Sequence, residues 1–175
     1  ANQEVIAIAP RMTEQQTESA IQAARKAFDE GPWRQTTAKE RAAILHKIAD
    51  KLEERLEEFT TLETMDNGKH REEAEADITD SVACFRYYAS ILLYPDGETY
   101  HVPDDVQAMV VKEPVGVAGL IVPWNFPLLM GVWKLAPALA AGNTVVYKPA
   151  EVTPITAFKI FEIFDEVGLP QGVAN

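Results

Sequence analysis

Apolar side chains recur at helical spacing through the first 94 residues. Thr13 with Gln16 forms a capping box, and Ile21, Ala24 and Phe28 follow three and four residues apart. Gly31-Pro32 stops that run. Thr37 with Glu40 opens a second, longer helix whose stripe is Leu45, Ile48, Leu52, Leu56, Phe59 and Leu62, and Asn67-Gly68 ends it. A third helix is predicted from Arg71 to Leu93, with Ile78, Val82, Phe85, Ala89 and Leu92 on one face. Glu53, Glu54, Glu57 and Glu58 interleave with Lys51 and Arg55, the pattern of a solvated helix face. They lack the alternating oxygen ligands and central glycine of a calcium loop.

The pattern then changes period. Pro95-Asp96-Gly97 predicts a turn, and Glu98 to Val102 and Val106 to Lys112 predict two strands around Pro103-Asp104-Asp105. So short a hairpin is marginal alone, and pairing with another subunit is expected. Val115 to Val122 is a charge-free apolar run, predicting a strand covered on both faces. Pro127 suits a first helical turn, with the helix running to Gly142, and Thr144 to Lys148 is a second buried strand. Thr153-Pro154 is expected to cap a further helix with Ile155, Phe158, Phe161 and Ile163 apolar and Gly168 at its end. Leu169 to Asn175 lead towards a third strand.

Strand, helix, strand, helix implies parallel strands. The expected fold class is α/β: N-terminal helices, a protruding β-hairpin and the start of a doubly wound parallel, Rossmann-like sheet. Residues 1–94 form the helical part, 95–113 the hairpin and 114–175 the first βαβα units. Two parallel strands do not make a covered sheet, so the domain is expected to be incomplete.

Composition narrows the function classes. Of 175 residues 47% are hydrophobic and 25% charged, as in a soluble globular protein. Sixteen basic against 27 acidic residues give a net charge of −11, which argues against nucleic-acid and anionic-membrane partners. Residues 114–133 carry no charge over a length that could span a bilayer, but Pro123, Pro127, Gly119 and Gly131 interrupt them, and lipid offers no replacement hydrogen bonds. The lone cysteine, Cys84, excludes an intrachain disulfide. No basic-then-apolar leader opens the sequence, and a cytoplasmic location is expected.

In open parallel sheets ligands bind at the carboxyl ends of the strands. Those ends are Ile121-Val122-Pro123-Trp124-Asn125 and Tyr147-Lys148-Pro149-Ala150-Glu151. Here the sequence resembles the aldehyde dehydrogenase superfamily. Pro123 to Leu128, Trp133-Lys134, Ala136 to Asn143 and Lys148 to Glu151 carry the resemblance, with Glu113 to Val117, Glu63 to Lys69 and Arg86 to Ala89 upstream. It covers nearly the whole chain.

The resemblance implies NAD(P)-dependent oxidation of a small-molecule aldehyde to an acid through a cysteine thiohemiacetal. It gives the Asn125 amide the oxyanion role, a donor whose loss typically costs ~2.7–4 kcal/mol of transition-state stabilisation. The plainer alternative is a turn before Pro127. Lys148 and Glu151 match adenosine-ribose contacts, and an acidic side chain there favours NAD over NADP. The plainer readings are a strand-end lysine and a helix N-terminal charge. Ile121, Val122, Pro123, Trp124 and Pro149 would line the cofactor cleft. Lys134 has a supporting electrostatic role or is a snorkelling lysine. Phe126 and Trp133 would wall a substrate tunnel. Trp133 matches the aromatic box of relatives that oxidise betaine aldehyde, while Phe126 stands where those relatives usually carry tyrosine, so an apolar tunnel for an unspecified aldehyde is favoured. Asp77, with the Val152 carbonyl, matches a monovalent-cation site of some relatives, although a helix-surface charge is the simpler reading. Cys84, on a helix beside Phe85, matches no nucleophile motif, and His46, His70 and His101 have no metal-site spacing. The family's nucleophilic cysteine and glutamate base fall beyond residue 175, so the segment alone is expected to be inactive. A catalytically inactive nucleotide-binding or scaffolding module is the rival reading, and a homodimer or homotetramer is the expected assembly.

Overall fold

The computed structural model describes residues 4–94 and 97–175. Helix α1 (Glu14–Glu30) is opened by the Thr13–Gln16 capping box. Helix α2 (Ala38–Glu54) is opened by its Thr37–Glu40 counterpart. In each box the threonine hydroxyl accepts the N3 amide hydrogen and the N3 side chain accepts the threonine N–H. Ala24 and Phe28 face the core, whereas Ile21 lies on the exposed side of α1.

The apolar stripe predicted as one helix is two. Arg55 leaves helical geometry at φ −103°, ψ 19°, and α3 (Leu56–Asn67) begins beyond it. The break coincides with contacts to another helix. Arg55 donates to Glu58 within α3 at 2.8 Å and reaches Glu162 at 3.0 Å and Glu166 at 3.2 Å on α6 (Ile155–Glu166). The bend therefore lets α3 lean on α6 while α2 packs on α4 (Arg71–Ile91). Periodicity runs through such a bend unaltered. Two more acidic residues are paired across helices, since Arg86 on α4 bonds Glu53 at 2.6 Å and Asp50 at 2.9 Å on α2.

The hairpin is shorter than predicted. Strands β1 (Thr99–Tyr100) and β2 (Ala108–Met109) pair antiparallel, with Thr99 opposite Met109, and the Val110 N–H donates to the Glu98 carbonyl at 2.8 Å. The turn expected at Pro95-Asp96-Gly97 falls mostly outside the described residues.

Strands β3 (Val117–Ile121) and β4 (Thr144–Lys148) pair in parallel, with Val117 opposite Thr144 and Ile121 opposite Lys148. The last residues add a third parallel segment to the far side of β4: the Val145 N–H donates to Val173 at 2.7 Å and the Tyr147 N–H to Asn175 at 2.7 Å. Beta-4 is thus flanked on both sides. Beta-3 is not covered on both faces as expected, because Gly119 is exposed and Ile121 is 70% exposed. Leu120, Val122, Val145 and Tyr147 join the core with Leu45, Ile48, Ile78, Phe85, Leu128, Leu135, Leu139 and Ile160 from the helices.

Helix α5 (Pro127–Ala140) connects the two strands. It ends at Gly142, whose φ of +85° is the left-handed conformation a helix stop requires. Arg41 holds the Ala140 carbonyl at 2.8 Å, and the buried Asn143 binds the Gly116 N–H at 3.0 Å. Of the apolar residues of helix α6, Ile163 is inside and Phe158 is exposed, with Ala157, Ile160 and Phe164 also on the core face. Its cap is not Thr153. Pro154 sits at the N-cap position with no capping side chain, and the Ile155 N–H donates instead to Asp66 of α3 at 2.9 Å. Among the described residues no helix is long and apolar enough to cross a membrane.

Two predictions follow from the packing around α5 and α6. A Cβ on Gly131 would stand 2.3 Å from the buried Tyr147 hydroxyl, which donates to the Pro127 carbonyl at 3.2 Å. Gly131→Ala should cost about 1–3 kcal/mol in urea unfolding. Combined with Tyr147→Phe, the loss should be less than the sum of the two single losses; strict additivity would remove the clash as its cause. The second concerns acid. Glu58, bonded first by Arg55, and Glu162, bonded by Lys159 and Arg55, are held below the ordinary glutamate value of 4.5. Depressed folded-state values mean stability that is complete above 4.5 and is lost as pH falls through the lower folded values. Arg55→Ala should therefore destabilise more at neutral pH than at about pH 3, read by urea midpoints at each pH.

Candidate functional site

The carboxyl ends of β3 and β4 lie side by side, because the register that pairs Ile121 with Lys148 continues into a bond from the Val122 N–H to the Lys148 carbonyl at 3.2 Å. Two loops leave this edge. One, residues 122–126, leads into α5, and the other, residues 149–154, leads into α6. Their exposed residues include Pro123, Trp124, Asn125, Phe126, Lys148, Glu151 and Val152. The strand-end face is an open surface.

Of the predicted cofactor residues, Val122 is the one enclosed by the core. Its side chain is buried in the core and its N–H is committed to Lys148, so it has little beyond its carbonyl to offer a ligand. Lys148 reaches over its own loop, its ammonium 2.8 Å from Glu151 and 3.2 Å from the Pro149 carbonyl. That hydrogen bond holds the Glu151 carboxyl below its usual range, so Glu151 is an ionised acceptor at neutral pH. Trp133 projects from the exposed side of α5 with Lys134, half-buried, next to it, while Phe126 stands at the helix N-cap two turns earlier.

Beneath the first loop lie residues to which sequence reasoning assigned no role. Glu63, on α3, is fully buried; its carboxylate accepts the Thr156 hydroxyl at 2.9 Å and lies 3.5 Å from the Lys69 ammonium. Lys69, itself only 8% exposed, also pairs with Asp77 of α4 and sits 4.6 Å from the centre of the Phe126 ring. Burial pushes the Glu63 carboxyl up, opposed by Thr156, Lys69 and the Leu128 N–H in the first turn of α5. Asp77 is therefore no surface charge. It is buried, and a lysine ammonium supplies the positive charge facing it, while Val152 lies exposed on another loop.

Both loops are tied to the end of α3. Asn67 donates its side-chain N–H to the Trp124 carbonyl at 2.7 Å, Asp66 caps α6 through Ile155, and the Thr153 hydroxyl makes a longer 3.4 Å contact with Trp124. One signal could have exposed this cluster. Glu63 follows the apolar Phe59 by one helical turn, so it falls on the helix face that seeks the core. Cys84, half-buried on α4, has its thiol pushed up by desolvation and is not poised as a thiolate. No cluster of metal-ligating side chains occurs among the described residues.

Paired strand ends carrying two polar loops are the edge of a parallel α/β sheet at which ligands bind in proteins of this architecture. Comparison with known proteins specifies it. The aldehyde dehydrogenase family matches residues 1–175. Betaine aldehyde dehydrogenase of Bacillus subtilis is 46% identical over 175 residues, which is 99% of this chain and 36% of that protein. Aminoaldehyde dehydrogenase 2 of Solanum lycopersicum is 47% identical over 180 residues, 100% of this chain and 35% of that protein. The crystal structure of Staphylococcus aureus betaine aldehyde dehydrogenase in complex with NAD+ superposes with a TM-score of 0.96 at 46% identity, covering 99% of this chain and 35% of that one. The chain belongs to the aldehyde dehydrogenase family. It spans about a third of the length of the curated relatives it matches.

The buried charges generate a prediction. Lys69→Met leaves Glu63 and Asp77 without their counter-charge and should cost about 3–5 kcal/mol by urea denaturation. Adding Glu63→Gln and Asp77→Asn should recover part of that loss, since no unpaired charge then remains inside; a triple variant weaker than Lys69→Met would contradict the electrostatic cause.

Proposed function

We propose that this chain is the amino-terminal portion of an NAD-dependent aldehyde dehydrogenase, carrying half of the cofactor cleft and one oxyanion donor. The observation that carries the reading is the juxtaposition of β3 and β4, which end opposite each other with Asn125 following one strand, Lys148 ending the other and Glu151 in the loop after it. NAD, when bound, supplies the hydride acceptor. The residues present fit that ligand: Glu151 is an exposed, ionised acceptor suited to ribose hydroxyls, and its negative charge disfavours the 2′-phosphate of NADP. Lys148 contributes donors to the same sugar. Ile121, Pro123, Trp124 and Pro149 flank it, and Val122 contributes main chain.

Thiolate attack on the aldehyde, by a cysteine outside these residues, puts negative charge on the carbonyl oxygen. Asn125 donates its amide N–H to that oxygen, a preorganised contact that strengthens as charge develops. Lys134 adds positive potential from α5, and Phe126 with Trp133 walls the approach of an apolar aldehyde. One face of the Phe126 ring already meets the Lys69 ammonium, which leaves the other for substrate. Cys84, the lone cysteine, is half-buried with its thiol pushed up by desolvation, which supports the view that these residues by themselves do not turn over. Within this reading residues 1–94 and 114–175 belong to the cofactor domain, residues 95–113 pair across subunits in a homodimer or homotetramer, and the enzyme is cytoplasmic.

The test is turnover. Full-length protein carrying this chain should reduce NAD with an aldehyde, betaine aldehyde included among the substrates tried, and Asn125→Ala should lower kcat by about 10²–10³-fold while NAD still binds. Wild-type protein that binds NAD but oxidises no aldehyde would favour the scaffolding module.

A further inference from the structure

Two adjacent residues at the end of α3 each hold one of the two site loops. Asn67 donates from its side chain to the carbonyl of Trp124 at 2.7 Å, and that carbonyl belongs to the peptide whose nitrogen is Asn125. Fixing this oxygen fixes the peptide plane from which the Asn125 side chain springs. Asp66 accepts the Ile155 N–H at 2.9 Å, the first free donor of α6, and so sets where the loop bearing Lys148 and Glu151 must end. Gly68, in the left-handed conformation at φ +86°, stops α3 directly after Asn67. Lys69 then turns back under Phe126.

We infer that Asp66 and Asn67 are positioning residues with separable effects: Asn67 orients the oxyanion donor and Asp66 the ribose-binding loop. The inference rests on the function proposed above. Neither residue touches substrate or cofactor. Their leverage lies in geometry, since displacing a preorganised donor by as little as ~1 Å can cost on the order of 10²-fold in rate.

The experiment uses the full-length enzyme and measures kcat with saturating NAD and aldehyde, the NAD dissociation constant by fluorescence, and the unfolding midpoint. Asn67→Asp keeps side-chain volume but replaces the donor by an acceptor facing the Trp124 carbonyl. It should lower kcat by about tenfold or more with NAD affinity within about twofold of wild type. Asp66→Ala should weaken NAD binding by about fivefold or more and leave kcat at saturation within about twofold. Asp66→Asn retains an oxygen acceptor for Ile155 and should restore NAD affinity. If Asn67→Asp does not accumulate as folded protein, Asn67→Ala reads the same contrast without an added charge. Equal losses in kcat and affinity for both variants, tracking the fall in unfolding midpoint, would mean that the pair only stabilises the fold. Failure of Asp66→Asn to rescue binding overturns the capping role. Asn125→Ala in parallel separates the two ideas: an Asn125→Ala defect with no Asn67→Asp defect sinks the inference alone, whereas an unimpaired Asn125→Ala enzyme sinks the oxyanion reading and the inference with it.

Discussion

Glu63, Lys69 and Asp77 are three ionisable side chains withdrawn from water, and a single ammonium is the counter-charge that two buried carboxylates share. An isolated buried charge costs several kcal/mol, so one lysine must stand close to both carboxylates. That places Lys69, and with it the turn at Gly68, where α3 ends and α4 begins. It also brings Glu63 against Thr156 of α6 and the first turn of α5, where a helix N-terminus favours negative charge. One buried carboxylate thereby touches the first turns of both helices that follow the strand ends.

Helix α5 is held at both ends, by different partners. At its carboxyl end α5 is held by Arg41 and by Asn143, which also receives the Trp33 indole N–H on its carbonyl at 3.2 Å. At its amino end it rests on Tyr147, fitted beneath Gly131, and on the charges of α3. Between them, Leu128, Val132, Leu135 and Leu139 bury their side chains in the common core. The 122–126 loop therefore leads directly into a helix that is held at both ends.

Much of this was legible along the chain because the governing interactions are local. Capping boxes act over three residues, and Thr13–Gln16 and Thr37–Glu40 form as read. A charge-free run followed by a polar loop marks a strand end in the parallel sheet, and both β3 and β4 lie where the apolar runs predicted them. What escaped was every feature whose partner lies far away. Arg55, at the break in the second helix, finds partners more than 100 positions later, the cap of α6 comes from Asp66 rather than Thr153, and Phe158 is exposed although it is apolar.

The sequence by itself determined most of the elements, their order, the parallel pairing and the family, since these follow from spacing, capping chemistry and ordered motifs; it did not show the break at Arg55 or the short reach of the hairpin strands. Only the tertiary structure decided which polar residues are inside. Periodicity can show that Glu63 and Asp77 fall on inward-facing arcs, but their burial is tolerable only because Lys69, six residues from one and eight from the other, is folded back between them. Whether a charge is solvated or enclosed depends on what opposes it in space, and neighbours in space are not encoded by distance along the chain.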